Sequence, residues 1–146
     1  MSEGDKIEAA SDDWLAVVLG ADTAASVQQL TLFIPDKDRD ENDLGNQQEW
    51  VRRAAELLVR IGGGVTVLPP CRGGWLNPET DKIVWEQPIL VYTFVKPDKF
   101  EALLPDLRSF LHRLGRETNQ GEVACDFDGT FYRISHFDPA DVGEER

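Results

Sequence analysis

The chain has 146 residues, of which 41% are hydrophobic and 29% are charged, a balance typical of one soluble globular domain. Its 27 acidic and 15 basic residues give a formal net charge of −12, which argues against binding to nucleic acid or to a membrane, because both require a basic surface. Two cysteines and two histidines are too few for an ordinary structural zinc site unless all four converge, so we expect no metal ion and no cofactor.

Most of the charge lies in three short segments. Residues 1–13 carry a net charge of −4, and residues 36–43 and 138–146 carry −3 each. Such runs are usually solvated, mobile segments. We therefore predict a flexible acidic N-terminus over residues 1–13, a single α+β domain over 14–137, and an acidic C-terminal tail over 138–146.

No targeting segment is visible in the sequence. The first residues lack the basic start and apolar run of a secretory signal. The longest apolar run, residues 14–19, is far shorter than the roughly 20 residues of a membrane span. We therefore expect a cytoplasmic protein in which Cys71 and Cys125 are reduced thiols.

The first half of the chain predicts a leading helix, a strand and a long helix. Residues 14–19 form an apolar run that follows a potential helix cap at residues 11–13, and Gly20 ends the predicted helix. Residues 27–34 are rich in β-formers and stop at Pro35. Residues 47–61 repeat apolar side chains with a 3.6-residue period before three glycines end the helix.

The middle of the chain predicts two strands separated by a connection. Residues 65–68 form a short β-rich run that two prolines stop. Residues 71–81, rich in Gly, Pro and Asn, read as a connection. Residues 82–95 carry the strongest β signal, and we expect a bulge or bend at Pro88, which cannot donate a ladder hydrogen bond.

The last part of the chain predicts a helix followed by a hairpin. Apolar side chains from Phe100 to Leu114 recur at helical spacing. We expect a cap at Asp98, a kink or restart at Pro105 and an end at Gly115. Asp128-Gly129 between residues 122–127 and 130–134 is a two-residue hairpin signal.

The order of these elements predicts a ferredoxin-like split βαβ fold, βαββαβ, in the α+β class. Each long helix has one apolar stripe, so both should cover one face of an antiparallel sheet, with an extra N-terminal helix and a C-terminal hairpin strand. Residues 83–94 place apolar side chains on both faces of their strand. A second copy of the chain or the leading helix should therefore cover the other face, and we favour a homo-oligomer.

Short glycine-containing motifs give the chain a family resemblance. Gly63-Gly64-Val65-Thr66-Val67, then Gly73-Gly74-Trp75, then Glu86 resemble the motifs of a set of short bacterial ferredoxin-like domains of unassigned function. More distantly, the order of elements is similar to the PII-like nitrogen-regulatory family. That resemblance implies a trimeric ferredoxin-like fold with nucleotide sites between subunits, lined by a long loop and glycine-rich turns.

Two places before the second long helix suggest a binding site. In the loop after Cys71, Arg72 could bind an anion and Trp75 could stack on a ring, although a turn with a packed tryptophan is the commoner arrangement. Glu86 interrupts an apolar strand. A carboxylate there is either exposed at an edge or buried, and a buried one with a shifted pKa would be a candidate general base.

The polar run after the second long helix completes the candidate set. Arg116, Asn119 and Gln120 could bind a small polar ligand, or their side chains could form hydrogen bonds with the main chain of their own loop. We interpret His112 as a surface histidine. Asp36-x-Asp38-x-Asp40 has calcium-loop spacing but lacks the glycine and the final glutamate such loops use, so we interpret it as a solvated loop.

These observations support three hypotheses for function. The first is a noncatalytic ligand-binding or regulatory module that self-associates, with a small anionic metabolite or a protein as partner. Its candidate ligand-binding residues are Arg72, Trp75, Glu86, Arg116, Asn119 and Gln120, and no catalytic residue is assigned. The second is a small cofactor-independent enzyme that uses Glu86 as a base. The third is a protein–protein adaptor that uses its acidic tails.

Overall fold

A computed structural model of the chain describes residues 14–140. The helices are α1 (residues 14–19), α2 (Gln47–Gly62) and α3 (Pro97–Glu117). The strands are β1 (Gln29–Ile34), β2 (Thr66–Val67), β3 (Gly73–Asn77), β4 (Lys82–Glu86), β5 (Ile89–Phe94), β6 (Val123–Phe127) and β7 (Thr130–Ile134). The predicted α+β class is confirmed. The potential cap at 11–13 lies outside the described residues.

Five strands form one antiparallel sheet in the order β2-β5-β1-β6-β7. β3 and β4 form a separate two-stranded hairpin. The centre of the large sheet is β1, in which Leu32 pairs with Val91 on one side and with Cys125 on the other. The two central ladders therefore join segments that are far apart in sequence.

One face of the sheet, the helix-covered face, forms the core with α2 and α3. Alternate residues of β1, namely Leu30, Leu32 and Ile34, are almost completely buried. They pack in one cluster with Leu58 of α2 and Leu114 of α3. Burying large aliphatic side chains stabilises a fold by about 1.5–3 kcal/mol each, so this layer supplies most of the driving force for folding.

The opposite side of the sheet, here called the open face, retains exposed aromatic side chains. The ladder register puts Phe33, Leu90, Tyr92, Phe94 and Phe131 on this face. The Phe33 and Phe131 rings meet edge to face with centroids 5.8 Å apart, as do those of Tyr92 and Phe94. Both Phe94 and Phe131 are 48% exposed, so the open face is partly apolar and accessible.

The structure corrects two predictions in the middle of the chain. Residues 71–81 contain a strand, β3, where only a connection was predicted. Residues 82–95 are not one strand, because the chain leaves the ladder at Gln87 and Pro88. β4 then pairs with β3, whereas β5 pairs with β1. Pro88 has no N–H to donate, so it ends one strand instead of bending a longer one.

Helix α3 is longer than predicted. It begins at Pro97, runs through Pro105 without a restart and ends at Glu117, beyond Gly115. Pro105 is exposed, so the carbonyl that loses its helical hydrogen bond lies on the solvent side. Gly115 is buried and is needed for packing, because a Cβ there would lie 2.2 Å from the Phe137 ring.

The prediction of a surface histidine at position 112 is wrong. His112 is buried, and its Nδ1 accepts a hydrogen bond from the main-chain N–H of Asp138 at 2.8 Å. The Asp138 carboxylate also pairs with Arg108, at 2.9 and 3.0 Å. Together with Phe137, which packs edge to face on His112, these contacts hold the chain that follows β7 against α3.

Candidate functional site

A cleft of about 840 Å³ lies between the open face of the sheet and the β3–β4 hairpin. We call it the sheet–hairpin cleft. The hairpin side is formed by Trp75, Trp85 and Glu86, and the sheet side by Phe33 and Phe131. Residues 37–39, Glu41 and residues 120–122 contribute the polar rim. The lining thus combines aromatic surface with charged groups of both signs, as small-molecule sites often do.

Glycines allow the hairpin to present its tryptophans. Gly74 pairs with Trp85 across the ladder, and a Cβ on Gly74 would lie 2.9 Å from the Trp85 ring. The absence of a side chain at Gly74 therefore lets the indole of Trp85 lie close to the opposite strand. Trp75 pairs with Val84, so its ring, 49% exposed, lies on the same face of the hairpin as Glu86 and on the opposite face from the Trp85 ring.

Glu86, at the end of β4, is the most unusual ionisable group of the cleft. Burial raises its pKa, and the negative charge of Asp36 raises it further, while Lys37 opposes both effects. Within residues 14–140 the half-buried Glu86 side chain has no hydrogen bond or ion pair. An incompletely solvated carboxylate without a partner favours either protonation or a positively charged ligand.

The acidic loop over residues 36–43 is pinned to the rest of the domain at the rim of the cleft. The Asp38 carboxylate accepts hydrogen bonds from the main-chain N–H groups of Asp40 and Asn42, at 2.8 and 3.0 Å. The Gln120 side-chain amide donates to the Lys37 carbonyl at 2.8 Å. The main-chain N–H of Arg39 donates to the Asn119 carbonyl at 2.9 Å. The loop is therefore a fixed wall and not a free solvated segment.

The structure brings three of the six predicted site residues together. Trp75, Glu86 and Gln120 line the sheet–hairpin cleft. Gln120 contributes through the loop that it holds, because its amide is already bonded to main-chain carbonyls.

The other three predicted site residues lie outside the lining of the cleft. The Arg72 guanidinium stacks on the Trp85 ring at 4.6 Å, so it contacts a cleft residue without lining the cleft. Arg116 donates to the Asp138 carbonyl at 2.6 Å, on the side of α3. Asn119 donates to the Asp40 carboxylate at 3.2 Å, which makes it a support for the acidic loop.

Sequence reasoning did not single out Trp85 or the two phenylalanines of the cleft. Trp85 reads as one residue of a long buried strand unless the break at Gln87-Pro88 is recognised. Phe33 and Phe131 come together only through the pairing of β1, β6 and β7. The sequence signal that could have found Phe33 is its position between Leu32 and Ile34, because strand alternation puts it on the face opposite these two apolar residues.

The other nucleophilic and metal-binding groups lie apart from the cleft. Cys125 is buried in the helix-covered face, and burial raises the pKa of its thiol. Cys71 is exposed, and its Sγ contacts the Pro88 carbonyl. Among the described residues, no cluster of His, Cys, Asp and Glu is suited to hold a metal ion. In the same part of the chain, no helix has the length and apolar character needed to cross a membrane.

Comparison with known proteins gives structural neighbours but no family. No protein-family model and no curated protein matches the sequence. A phage SAM lyase in complex with S-methyl-5′-thioadenosine is similar, with a TM-score of 0.53 and 12% identity over 77% of this chain and 92% of that one. A phage SAM lyase in the apo state has a TM-score of 0.47 and 13% identity over 78% and 97%. At such identities the likeness concerns the fold alone.

Proposed function

We propose that the protein is a ligand-binding or regulatory module that takes a small molecule into the sheet–hairpin cleft. The observation that carries this proposal is the position of Glu86, a half-buried carboxylate that forms no hydrogen bond or close ion pair within residues 14–140, on a wall that also holds Trp75. A carboxylate beside an indole is suited to a ligand that joins a positive charge to a flat ring.

The charged side chains on the rim of the cleft indicate further properties of the ligand. Lys37 and Arg39 stand on the rim beside Asp38 and Glu41. A ligand with an acidic group as well as a cationic one would match this mixture of charges. The predicted anionic metabolite therefore becomes, in our proposal, a zwitterion whose anionic group faces the basic side chains of the rim.

Calorimetric titration with three probes tests the proposal. S-adenosylmethionine carries a sulfonium cation, S-methyl-5′-thioadenosine is its neutral thioether counterpart, and ATP is an anionic nucleotide. We expect S-adenosylmethionine to bind more tightly than the other two. Glu86→Gln should reduce that preference about tenfold, which corresponds to about 1.4 kcal/mol.

Two hairpin variants separate contact with the ligand from general damage. Trp75→Ala removes a cleft side chain and should weaken binding of S-adenosylmethionine at least tenfold. Ile83→Ala is the matched control, because Ile83 is similarly exposed on the same hairpin but does not line the cleft. The proposal is wrong if none of the probes binds, or if the two variants weaken binding equally.

A second candidate function is a cofactor-independent lyase in which Glu86 acts as a general base. Two observations favour it. Burial raises the pKa of Glu86, and a higher pKa makes a carboxylate a stronger base. The structural neighbour with a TM-score of 0.53 is a SAM lyase. Breakdown of S-adenosylmethionine by the wild-type chain, lost in Glu86→Gln with binding of S-methyl-5′-thioadenosine retained, would favour this function over simple binding.

We further propose a ferredoxin-like core and self-association. The order β2-β5-β1-β6, with α2 and α3 against one face, supports a ferredoxin-like arrangement to which the β3–β4 hairpin and β7 are additions. The exposed Phe94 of the open face, which lies outside the lining of the cleft, supports self-association, because covering it would remove apolar surface from water. Sedimentation velocity over a range of concentrations tests this part of the proposal.

A further inference from the structure

We propose that α1 of one copy of the chain docks on the open face of a second copy. The inference rests on the proposed self-association and names the element that mediates it. It goes further than that proposal because it requires two different surfaces to meet, the helix of one copy and the sheet of another. Such a contact is heterologous, and it closes only if the rotation between copies completes a ring.

The first observation is that the apolar side chains of α1 are largely exposed. Trp14, Val17 and Leu19 are 66%, 79% and 70% exposed. The apolar side chains of residues 14–19 are thus in contact with water, and burying them would be favourable. This strongly apolar helical segment therefore needs a surface that shields it.

The second observation is that the open face offers a matching apolar surface. Leu90, Tyr92 and Phe94 of β5 lie beside Phe33 of β1 on this face. The α2 and α3 helices already occupy the other face of the sheet. On the open face, the β3–β4 hairpin and its cleft occupy the side of Phe33 and Phe131, so the part left for an apolar helix is the surface around Tyr92 and Phe94.

The third observation concerns the linker that joins α1 to the sheet. Residues 20–28 are all exposed, and nine extended residues span up to about 30 Å. The linker enters β1 next to Phe94, which pairs with Gln29. It is thus long enough to return α1 to its own sheet, yet α1 remains exposed. Exchange between copies is the arrangement that buries both surfaces while keeping the structure of each chain.

Sedimentation velocity of the full chain and two charge variants tests the inference. Leu19→Asp on α1 and Phe94→Asp on the open face should each raise the dissociation constant of the assembly at least tenfold. Val59→Asp is the matched control, since Val59 is an exposed apolar residue on α2, and it should have little effect. Far-UV circular dichroism verifies that every variant is folded.

Cysteine cross-linking gives a second readout that does not depend on the charge variants. In a Cys71→Ser background, chains with Val18→Cys are mixed with chains with Phe94→Cys under mild oxidation. A disulfide-linked heterodimer is the expected product. Cross-links that form only within one chain carrying both changes would overturn the inference, because α1 would then cover its own sheet.

The two levels of the proposal can fail separately. Suppose that the wild-type chain associates, that Leu19→Asp does not change the dissociation constant and that no disulfide-linked heterodimer forms. Docking of α1 is then wrong and self-association stands. If the wild-type chain is a monomer at all concentrations and no heterodimer forms, both are wrong. The ligand-binding proposal is judged by the calorimetric titrations of the cleft, whichever of these results is found.

Discussion

The Asp36 carboxylate accepts a hydrogen bond from the main-chain N–H of Gln87 at 3.1 Å. This bond joins residues 51 positions apart and fixes the end of the β3–β4 hairpin to the start of the acidic loop. It also places the charge of Asp36 close enough to raise the pKa of Glu86. A structural hydrogen bond and the electrostatics of the cleft therefore depend on the same carboxylate.

Asp36→Asn should lower the pKa of Glu86 without releasing the hairpin. The asparagine oxygen can still accept the hydrogen bond from Gln87, whereas the negative charge is removed. The pKa should stay above the ordinary glutamate value, because burial is the largest cause of the shift. An NMR titration of the Glu86 side chain measures the change. Asp43→Asn, on the same loop, is the control and should leave the titration unaltered.

Glu86→Gln should stabilise the protein at neutral pH. Because the pKa of Glu86 is raised in the folded state, the folded chain binds a proton more tightly than the unfolded chain does. The free energy of unfolding should therefore fall as pH rises from about 4.5, the ordinary glutamate value, through the raised folded pKa. The variant should lack this decrease. Urea unfolding at pH 4.5 and pH 7.5 measures the difference, with exposed Glu79→Gln as the control.

Gly62→Ala should destabilise the fold through steric overlap at the end of α2. A Cβ at Gly62 would lie 1.9 Å from the Thr93 Oγ1 and 2.5 Å from the Phe94 carbonyl oxygen, so the strand itself must shift. We expect a loss of about 1–3 kcal/mol, the usual range for overpacking. Thermal or urea unfolding measures it.

Gly64→Ala is the matched control for that substitution. No atom lies within 4 Å of a Cβ built at Gly64, so the change should be neutral or should stabilise by about 0.4–1 kcal/mol through the unfolded state. Equal stabilities of the two variants would contradict the close approach of α2 to β5.

Asp138→Asn should lower the free energy of unfolding at neutral pH but not in strong acid. The hydrogen bond from Arg108 holds the pKa of the Asp138 carboxyl below its usual value of 3.8. The resulting stabilisation is present above pH 3.8 and is lost as pH falls through the lowered folded value. Urea midpoints of wild type and variant should therefore differ at pH 6 and converge at the most acidic pH where the chain still folds.

A double-mutant cycle attributes the effect of Asp138 to its partner. Arg108→Gln should give a similar loss at pH 6, and the double variant should be little worse than either single change. Additive losses would mean that Arg108 and Asp138 act independently, contrary to their paired hydrogen bonds.

The sequence predicted well those elements whose signal is local. The apolar period of α2, the glycines that follow it and the Asp128-Gly129 turn each specify structure within a few residues. The α+β class followed from them. Residues 82–95 were predicted as one strand with a bulge or bend at Pro88, but they form two strands. A continuous run of β-forming residues conceals a change of pairing partner, because the partner is decided by contacts with β1 and β3.

The candidate site was predicted in part for the same reason. Trp75 and Glu86 stand out locally, as an aromatic residue in a glycine-rich segment and a charge in an apolar strand. Arg72 and Asn119 have equally suggestive neighbours in sequence, yet Arg72 stacks on the Trp85 ring and Asn119 donates a hydrogen bond to Asp40. Only the packing of distant segments decides which polar side chain faces a cleft and which supports a loop.

The two edges of the large sheet differ in a way that bears on aggregation. β2 forms one edge with two residues and is followed by Pro69 and Pro70, which cannot donate main-chain hydrogen bonds. β7 forms the other edge with five residues and no proline. A foreign strand that extends this sheet must therefore add beside β7, and a proline or lysine placed there would be the direct means of making the protein more resistant to fibril growth.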